Sequence, residues 1–241
     1  ISVLSQAHRL VSLLFWIGIT FAKLLFKTGI VIAKPPPRPL EIFSMEDLIL
    51  VVNCSSSLFK ATILNSRSGD IVLSCLAAKL GQADAYITFN RRGNRSTISL
   101  AEQPDHHGAA AELLEETRIL GIERRIRAIG HRVVHGGEHY SDSVRIDDKV
   151  IAALEACIAL APLHNPANLT GIRAAQAAFP GLPNVAVFDT AFHHTLPEHA
   201  YTYAVPRALY REHGLRRYGF HGTAYRYVTR ETAAMLGKNI A

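Results

Sequence analysis

An α/β domain built on a mixed sheet is what this 241-residue chain predicts, and three observations carry the prediction. A continuous apolar run, Leu48 to Val52, reads as a central strand buried on both faces. Short strand-like segments separated by turn signals follow it, as antiparallel hairpins require. Beyond about residue 105 the pattern changes to alternating helix and strand, the pattern of an α/β sheet.

Each element has a local reason. The first strand ends at Asn53, before the serine-rich turn Ser55-Ser56-Ser57. A second strand is expected over 58–64. The turn residues Asn65-Ser66-Arg67-Ser68-Gly69-Asp70 then lead into a third over 71–76. Ile87–Phe89 and Thr97–Ser99 form a further antiparallel pair around Arg91-Arg92-Gly93-Asn94. His107 to Leu120 reads as a helix with Leu113, Leu114 and Thr117 on one side, and Arg127 to Val134 as a strand. Asp147 is a good N-cap for a helix to Ala159. Asn165 to Phe179 is helical, closing before Pro180-Gly181, and Asn184 to Phe188 is a strand. A last helix spans Thr223 to Leu236, with Gly237 just past its end. From His193 onward helices and loops come without a strand on which to close a core. That stretch reads as the truncated start of a second domain.

Composition narrows the function classes. Apolar residues make up 49% of the chain and charged residues 19%, an ordinary globular balance. The net charge of +6 is modest and its arginines are scattered, as in Arg124-Arg125 and Arg216-Arg217. No basic stripe of the nucleic-acid-binding kind is present, so no nucleic-acid partner is expected. The three cysteines, Cys54, Cys75 and Cys157, are far apart and form no Cys-x-x-Cys. This argues against a disulfide framework or a structural zinc, and for a reducing compartment such as the cytoplasm.

The N-terminal stretch does not fit the rest. Leu10 to Ala33 is apolar and long enough to span a bilayer, yet Lys23 and Lys27 fall inside it. Lys34-Pro35-Pro36-Pro37-Arg38-Pro39 then reads as an extended linker. A membrane anchor, a targeting segment, and a stretch foreign to the functional protein are the three readings. The third is favoured, because Met45 sits where a natural start would fall. The expected organisation is an extension over 1–45 outside the fold, a first domain over 46–192, and the start of an incomplete second over 193–241.

Several residues can carry chemistry. At Asn53 and the serine turn, backbone N–H groups and the hydroxyls of Ser56 and Ser57 can surround a phosphate. Lys60, on the next strand, can add charge. The spacing of a P-loop is absent, and a purely structural hairpin turn fits as well. Arg132 enters a glycine-rich turn in Gly130-His131-Arg132-Val133-Val134-His135-Gly136-Gly137. On an alternating strand His131, Val133 and His135 share one face, and Arg132 and Val134 the other. A buried arginine needs an anionic partner, either a ligand carboxylate or phosphate gripped by two parallel hydrogen bonds or a structural acidic residue. His131, His135 and His139 are spaced by four, but no cysteine accompanies them. Hydrogen-bonded core or turn histidines fit better than zinc.

Three more residues stand out. His164, in Ala161-Pro162-Leu163-His164-Asn165-Pro166, can line a cleft or cap a turn. Asp189 leaves a strand end, where open α/β sheets place ligands. There it can bind Mg²⁺ through water, orient a nucleophile, accept a proton, or cap the next segment. His221 lies between Gly219 and Gly222 before a helix N-terminus, where anions are favoured. A histidine donor there suits the charge that builds on a transferred phosphoryl group.

In this order and spacing, Val51-Val52-Asn53-Cys54-Ser55-Ser56-Ser57, Gly130 to Gly137, Ala161 to Pro166, Phe188-Asp189-Thr190-Ala191-Phe192-His193 and Arg217 to Thr223 closely resemble the acetate and propionate kinase family. The resemblance covers Leu48 to Ala241. It implies ribonuclease-H-like domains of the sugar kinase, Hsp70 and actin superfamily, with ATP in the cleft between two of them. It also implies a cytoplasmic homodimer that reversibly transfers the ATP γ-phosphoryl to acetate or propionate with Mg²⁺. By resemblance, Asn53 is the metal-site asparagine, and Lys60, Ser56 and Ser57 meet the nucleotide. Arg132 binds the carboxylate and Asp189 is the essential acid. His221 stabilises the transition state, and His164 is a further active-site histidine. A carboxylate is already a nucleophile at neutral pH. Asp189 is therefore expected to act mostly through Mg²⁺ and orientation, since phosphoryl transfer asks mainly for positioning and charge stabilisation.

The chain departs from the family at four positions. Ser55 replaces a glycine, Leu58 the third serine and Ala61 an aromatic residue, and Tyr225 stands where the family has a histidine. If the glycine position needs φ > 0, Ser55 strains the turn. The match is to the N-terminal half of the family, so the expectation is a fragment inactive alone. The alternative is a non-catalytic, membrane-anchored, degenerate kinase-like binding protein.

Overall fold

The computed structural model describes residues 47–240. The apolar stretch from Leu10 to Ala33, the proline-rich patch and Met45 lie outside them. Among the described residues there are eight strands: β1 (Leu48–Ser55), β2 (Leu58–Asn65), β3 (Ile71–Ala78), β4 (Tyr86–Arg91), β5 (Asn94–Ser99), β6 (Ile126–Val133), β7 (Val144–Arg145) and β8 (Asn184–Phe188). The helices are α1 (His106–Ile119), α2 (Asp148–Ala156), α3 (Asn165–Ala178), α4 (Glu198–Tyr201), α5 (Arg207–His213) and α6 (Gly222–Leu236).

All eight strands join one mixed sheet in the order β5-β4-β3-β2-β1-β6-β8-β7. β1 to β5 form an antiparallel meander, and β1, β6 and β8 run parallel to one another. The mixed α/β architecture expected from the pattern is the one observed. Alternation sorts β1 by face. Leu48, Leu50 and Val52 join Phe59, Ile63, Ile87, Phe89, Leu113 and Ile129 in one buried cluster beneath α1 and α3. A second cluster, with Val133, Leu154, Leu169, Ile172 and Phe188, lies under α2 and α3.

Local chemistry sets the helix ends. Asp105 and Asp147 cap α1 and α2, accepting from the N–H groups of Gly108 at 2.8 Å and Val150 at 2.9 Å. The helix expected from Asp147 to Ala159 stops at Ala156, and its last three residues tighten into a 3-10 turn. β3 runs two residues further than its pattern suggested. β7 was not expected, because two residues carry no readable period. Residues 193–240 add α4, α5 and α6 and, among the described residues, no strand.

Candidate active site

The parallel ladder between β1 and β6 ends at Val52 opposite His131, and that between β6 and β8 at Val133 opposite Phe188. Asn53, Arg132 and Asp189 therefore stand at the C-terminal ends of three adjacent strands. Val52, Val133 and Phe188 turn toward the helix-covered clusters. Alternation sends Asn53, Arg132 and Asp189 to the opposite face.

Their side chains meet. Arg132 grips Asp189 through two parallel bonds, Nε to Oδ1 at 3.2 Å and Nη2 to Oδ2 at 2.6 Å. Its Nη1 reaches Asn53 Oδ1 at 3.4 Å. The Asp189 side chain is 1% exposed and that of Arg132 14%. An ionised carboxylate so buried needs such a partner. The Thr223 hydroxyl lies 3.4 Å from Asp189 Oδ1 and His221 Nδ1 3.8 Å from Oδ2.

α6 starts against this group. The Gly222 N–H donates to the Asp189 carbonyl at 2.9 Å. A Cβ at Gly222 would run into that carbonyl oxygen and into Phe192. His221, its N-cap, has φ 56°, a left-handed conformation that costs a non-glycine residue about 1–2 kcal/mol. Behind Arg132, Gly136 donates to the Thr190 hydroxyl at 3.1 Å, and a Cβ there would sit 2.7 Å from the Phe188 ring.

Two asparagines at the start of α3 support the strand ends. Asn168 accepts from the Val134 N–H and donates to the Cys54 carbonyl, both at 3.0 Å. Asn165 accepts from the His135 N–H at 3.2 Å and donates to the His135 carbonyl at 3.0 Å. Asn165, Asn168, Thr190, Thr223 and Gly222 are the site-supporting residues that sequence reasoning missed. Asn165 was readable only as a helix start.

The neighbouring histidines are structural. His131 Nε2 lies 2.7 Å from Asn184 Oδ1, whose amide nitrogen donates to the Leu182 carbonyl. The oxygen can only accept, so Nε2 carries the proton. His135 Nδ1 accepts from the Gly137 N–H at 3.0 Å. Burial pushes both imidazoles down to about 4. His139 is exposed, and among the described residues no group of three or more His, Cys, Asp or Glu is placed to hold a metal.

A strap fastens the chain beyond residue 193 to the loop after β6. The Arg216 guanidinium ion-pairs with Glu138, stacks 3.6 Å above the Tyr201 ring and lies 5.2 Å from the Tyr218 ring. Tyr210 donates to the same Glu138 oxygen at 2.9 Å, and the Tyr218 and His135 rings meet edge-on at 4.4 Å.

The remaining candidates lie outside the Arg132–Asp189 hydrogen-bond group. Ser56 and Ser57 form the exposed turn between β1 and β2. Lys60 pairs with Asn53 across the hairpin and so shares its face, with its side chain in solvent. His164 is exposed at the N-cap of α3. Strain at Ser55 is absent: among the described residues only Lys79, Arg92 and His221 have positive φ outside glycine. Ser55 takes ordinary strand geometry in β1, which needs no glycine. Tyr225 stacks on Phe192 at 6.2 Å.

The sequence model of the acetokinase family matches residues 48–241. The chain belongs to the acetokinase family. Over 194 residues it is 59% identical to acetate kinase 1 of Neisseria meningitidis serogroup B, covering 80% of this chain and 49% of that protein. The chain spans about half the length of the curated relatives it matches. Among solved structures it is similar to a propionate kinase from Francisella tularensis, with a TM-score of 0.78 and 39% identity over 81% of this chain and 50% of that one. It is also similar to Porphyromonas gingivalis acetate kinase, with a TM-score of 0.75 and 41% identity over 80% and 50% of the two chains. The acetokinase chain thus has the ribonuclease-H-like fold of the sugar kinase, Hsp70 and actin superfamily. No helix among the described residues is long and apolar enough to cross a membrane.

Proposed function

We propose that the complete enzyme to which this acetokinase chain corresponds transfers the γ-phosphoryl of ATP reversibly to acetate or propionate. The observation that carries the reading is the convergence of Asn53, Arg132 and Asp189 at adjacent strand ends, with His221 at a helix N-terminus beside them. Arg132, with its Nε–Nη2 edge held by Asp189, receives the carboxylate on the Nη1–Nη2 edge, whose planar donors match two oxygens. His221 donates toward the charge of the transferring phosphoryl group. Lys60, Ser56 and Ser57 face the nucleotide, and His164 lines the approach. Asp189 orients Arg132 rather than activating a nucleophile that is already anionic.

The donor set suits Mg²⁺. Asp189, Asn53 and Thr223 supply hard oxygens from one carboxylate, one carboxamide and one hydroxyl, and the ion commonly takes few protein ligands with water and phosphate completing the shell. Asn53 and Asp189 would hold it through the lone pairs that their hydrogen bonds to Arg132 leave unused. When bound, it neutralises phosphate oxygens. Cytoplasmic placement and homodimerisation belong to the same proposal.

Joined to the second half of the Neisseria acetate kinase 1, the chain is expected to form acyl phosphate from acetate or propionate with MgATP. Trapping with hydroxylamine detects it as the hydroxamate. The chain alone is expected to form none. A folded, joined protein that yields no hydroxamate sinks the reading.

A further inference from the structure

We propose that Asn168 is a positioning residue whose carboxamide is inserted into the β1–β6 ladder and sets the gap between Asn53 and Arg132. The register shows the insertion. With Val52 opposite His131, continued pairing places Cys54 opposite Val133. The next parallel rung would then run directly from the Val134 N–H to the Cys54 carbonyl. These are the two groups that Asn168 holds, at 3.0 Å each, one through Oδ1 and the other through Nδ2. A single N–H···O contact of about 2.9 Å is replaced by two hydrogen bonds with a carboxamide between them. The strands part there without leaving a buried backbone group unpaired.

The parting falls where it matters. Asn53 and Arg132 are the residues just before the inserted rung, and Nη1 and Oδ1 lie 3.4 Å apart. Ligands of open α/β sheets enter where neighbouring strand ends separate. Asn168 is 4% exposed and belongs to α3, so its position is fixed by helix packing rather than by a loop. Asn165, one turn earlier and fully buried, fastens both backbone groups of His135 and keeps the chain beyond the rung from closing back. The residue type is dictated: aspartate keeps the acceptor and loses the donor, leucine loses both, and glutamine keeps both on a longer stem.

This inference rests on the proposed function for its kinetic arm and on the hydrogen bond alone for its physical arm. In the joined enzyme, assayed well below its unfolding temperature, Asn168→Ala, which loses both hydrogen bonds, is expected to raise the carboxylate KM about tenfold, a loss of about 1.4 kcal/mol of carboxylate binding. The KM for ATP should stay within about twofold, because the nucleotide residues are elsewhere. Asn168→Gln should recover much of the thermal stability lost in Asn168→Ala, yet keep a raised carboxylate KM because the gap is wider. A purely structural asparagine would recover both together. Independently of activity, hydrogen exchange on the chain itself should show the Val134 amide protected in the wild type and deprotected in Asn168→Ala. If Asn168→Ala fails to fold, Asn168→Asp, which retains the Val134 acceptor, should preserve that protection while raising the carboxylate KM. An unchanged carboxylate KM in an active variant, or a Val134 amide indifferent to Asn168→Ala, overturns the proposal. An inactive wild-type joined enzyme defeats the proposed function, and the exchange measurement then decides the role of Asn168.

Discussion

Residues 47–192 and residues 193–240 meet at Asp189, and different forces hold them there. The first region hangs on a sheet whose core side chains, such as Leu50, Phe59, Phe89 and Phe188, are at most 1% exposed. Burial of that kind stabilises by about 1.5–3 kcal/mol per large side chain. The second region has Tyr225, Val228, Met235 and Leu236 between 38% and 79% exposed. It is fastened mainly through the Glu138–Arg216 ion pair, ring contacts to Tyr201 and Tyr218, and the Gly222 and Thr223 contacts to Asp189. The carboxylate grip is thus part of a packed sheet, and the histidine that faces it is delivered by a strap. Local opening free energies follow contact density, so the two halves of the site should yield under different stresses.

The largest effect should come from breaking the seam itself. Arg132→Ala strands a carboxylate whose side chain is 1% exposed, whereas Asp189→Asn strands a guanidinium that is 14% exposed and still near Asn53. Removing one partner of a buried pair costs about 3–5 kcal/mol, and the more buried survivor suffers more. Arg132→Ala is therefore expected to lower stability in urea melts more than Asp189→Asn does, and to raise the carboxylate KM of the joined enzyme. If the order is reversed, Arg132 and not Asp189 carries the greater burial penalty. An unchanged carboxylate KM would remove Arg132 from its assigned role.

That seam also shows what a linear reading can reach. The apolar run at Leu48–Val52, the caps at Asp147 and Gly237, and the helix–strand alternation are local signals, and the elements they announce are all present. β7, α4 and α5 are too short for a period to show. Arg132 was readable as needing an anion, but not as holding Asp189, because 57 residues separate them. The ion-pair and ligand readings of Arg132 both stood on sequence. In this structure Asp189 holds the Nε–Nη2 edge of Arg132, and the Nη1 side, toward Asn53, is the one a substrate carboxylate would meet. Asn168 was invisible for the same reason: its partner at Cys54 lies 114 residues away. The strain expected at Ser55 hung on a positive φ, and the condition is not met in this chain.

Acid should probe the sheet region through His131, with an intermediate effect. His131 is buried and held near pKa 4, against about 6.5 in an unfolded chain. Below about pH 6.5 the unfolded state takes up a proton that the folded state refuses until about pH 4. The stability contributed by neutral His131 is therefore full above pH 6.5 and lost as pH falls through that window. A shift of this size is worth on the order of 3 kcal/mol. Urea melts from pH 7.5 to 4 should show the decline. His131→Gln keeps a donor for Asn184 and should flatten it by about one proton, leaving the share of His135, which burial also holds near 4. An equally steep decline in His131→Gln would place the acid sensitivity elsewhere.

The smallest global effect, and the sharpest on the comparison, should follow from cutting the strap. Arg216→Ala removes a cation stacked on Tyr201 and the ion pair to Glu138. Contacts of these kinds are worth about 0.5–2 kcal/mol and 0–1 kcal/mol. Because the sheet core does not include them, the main unfolding transition should move little. Hydrogen exchange over α4, α5 and α6 should accelerate, while β1, β6 and β8 keep their protection. In the joined enzyme kcat should fall as His221 loses its station against Asp189, with the carboxylate KM nearly unchanged because Arg132 is held by the sheet. Arg216→Lys retains a charge for Glu138 but not the flat guanidinium face, so it should restore the exchange pattern only in part. A uniform loss of protection across the sheet and α6 would instead mean that the two regions open as one unit, and that the histidine is held as firmly as the arginine it faces.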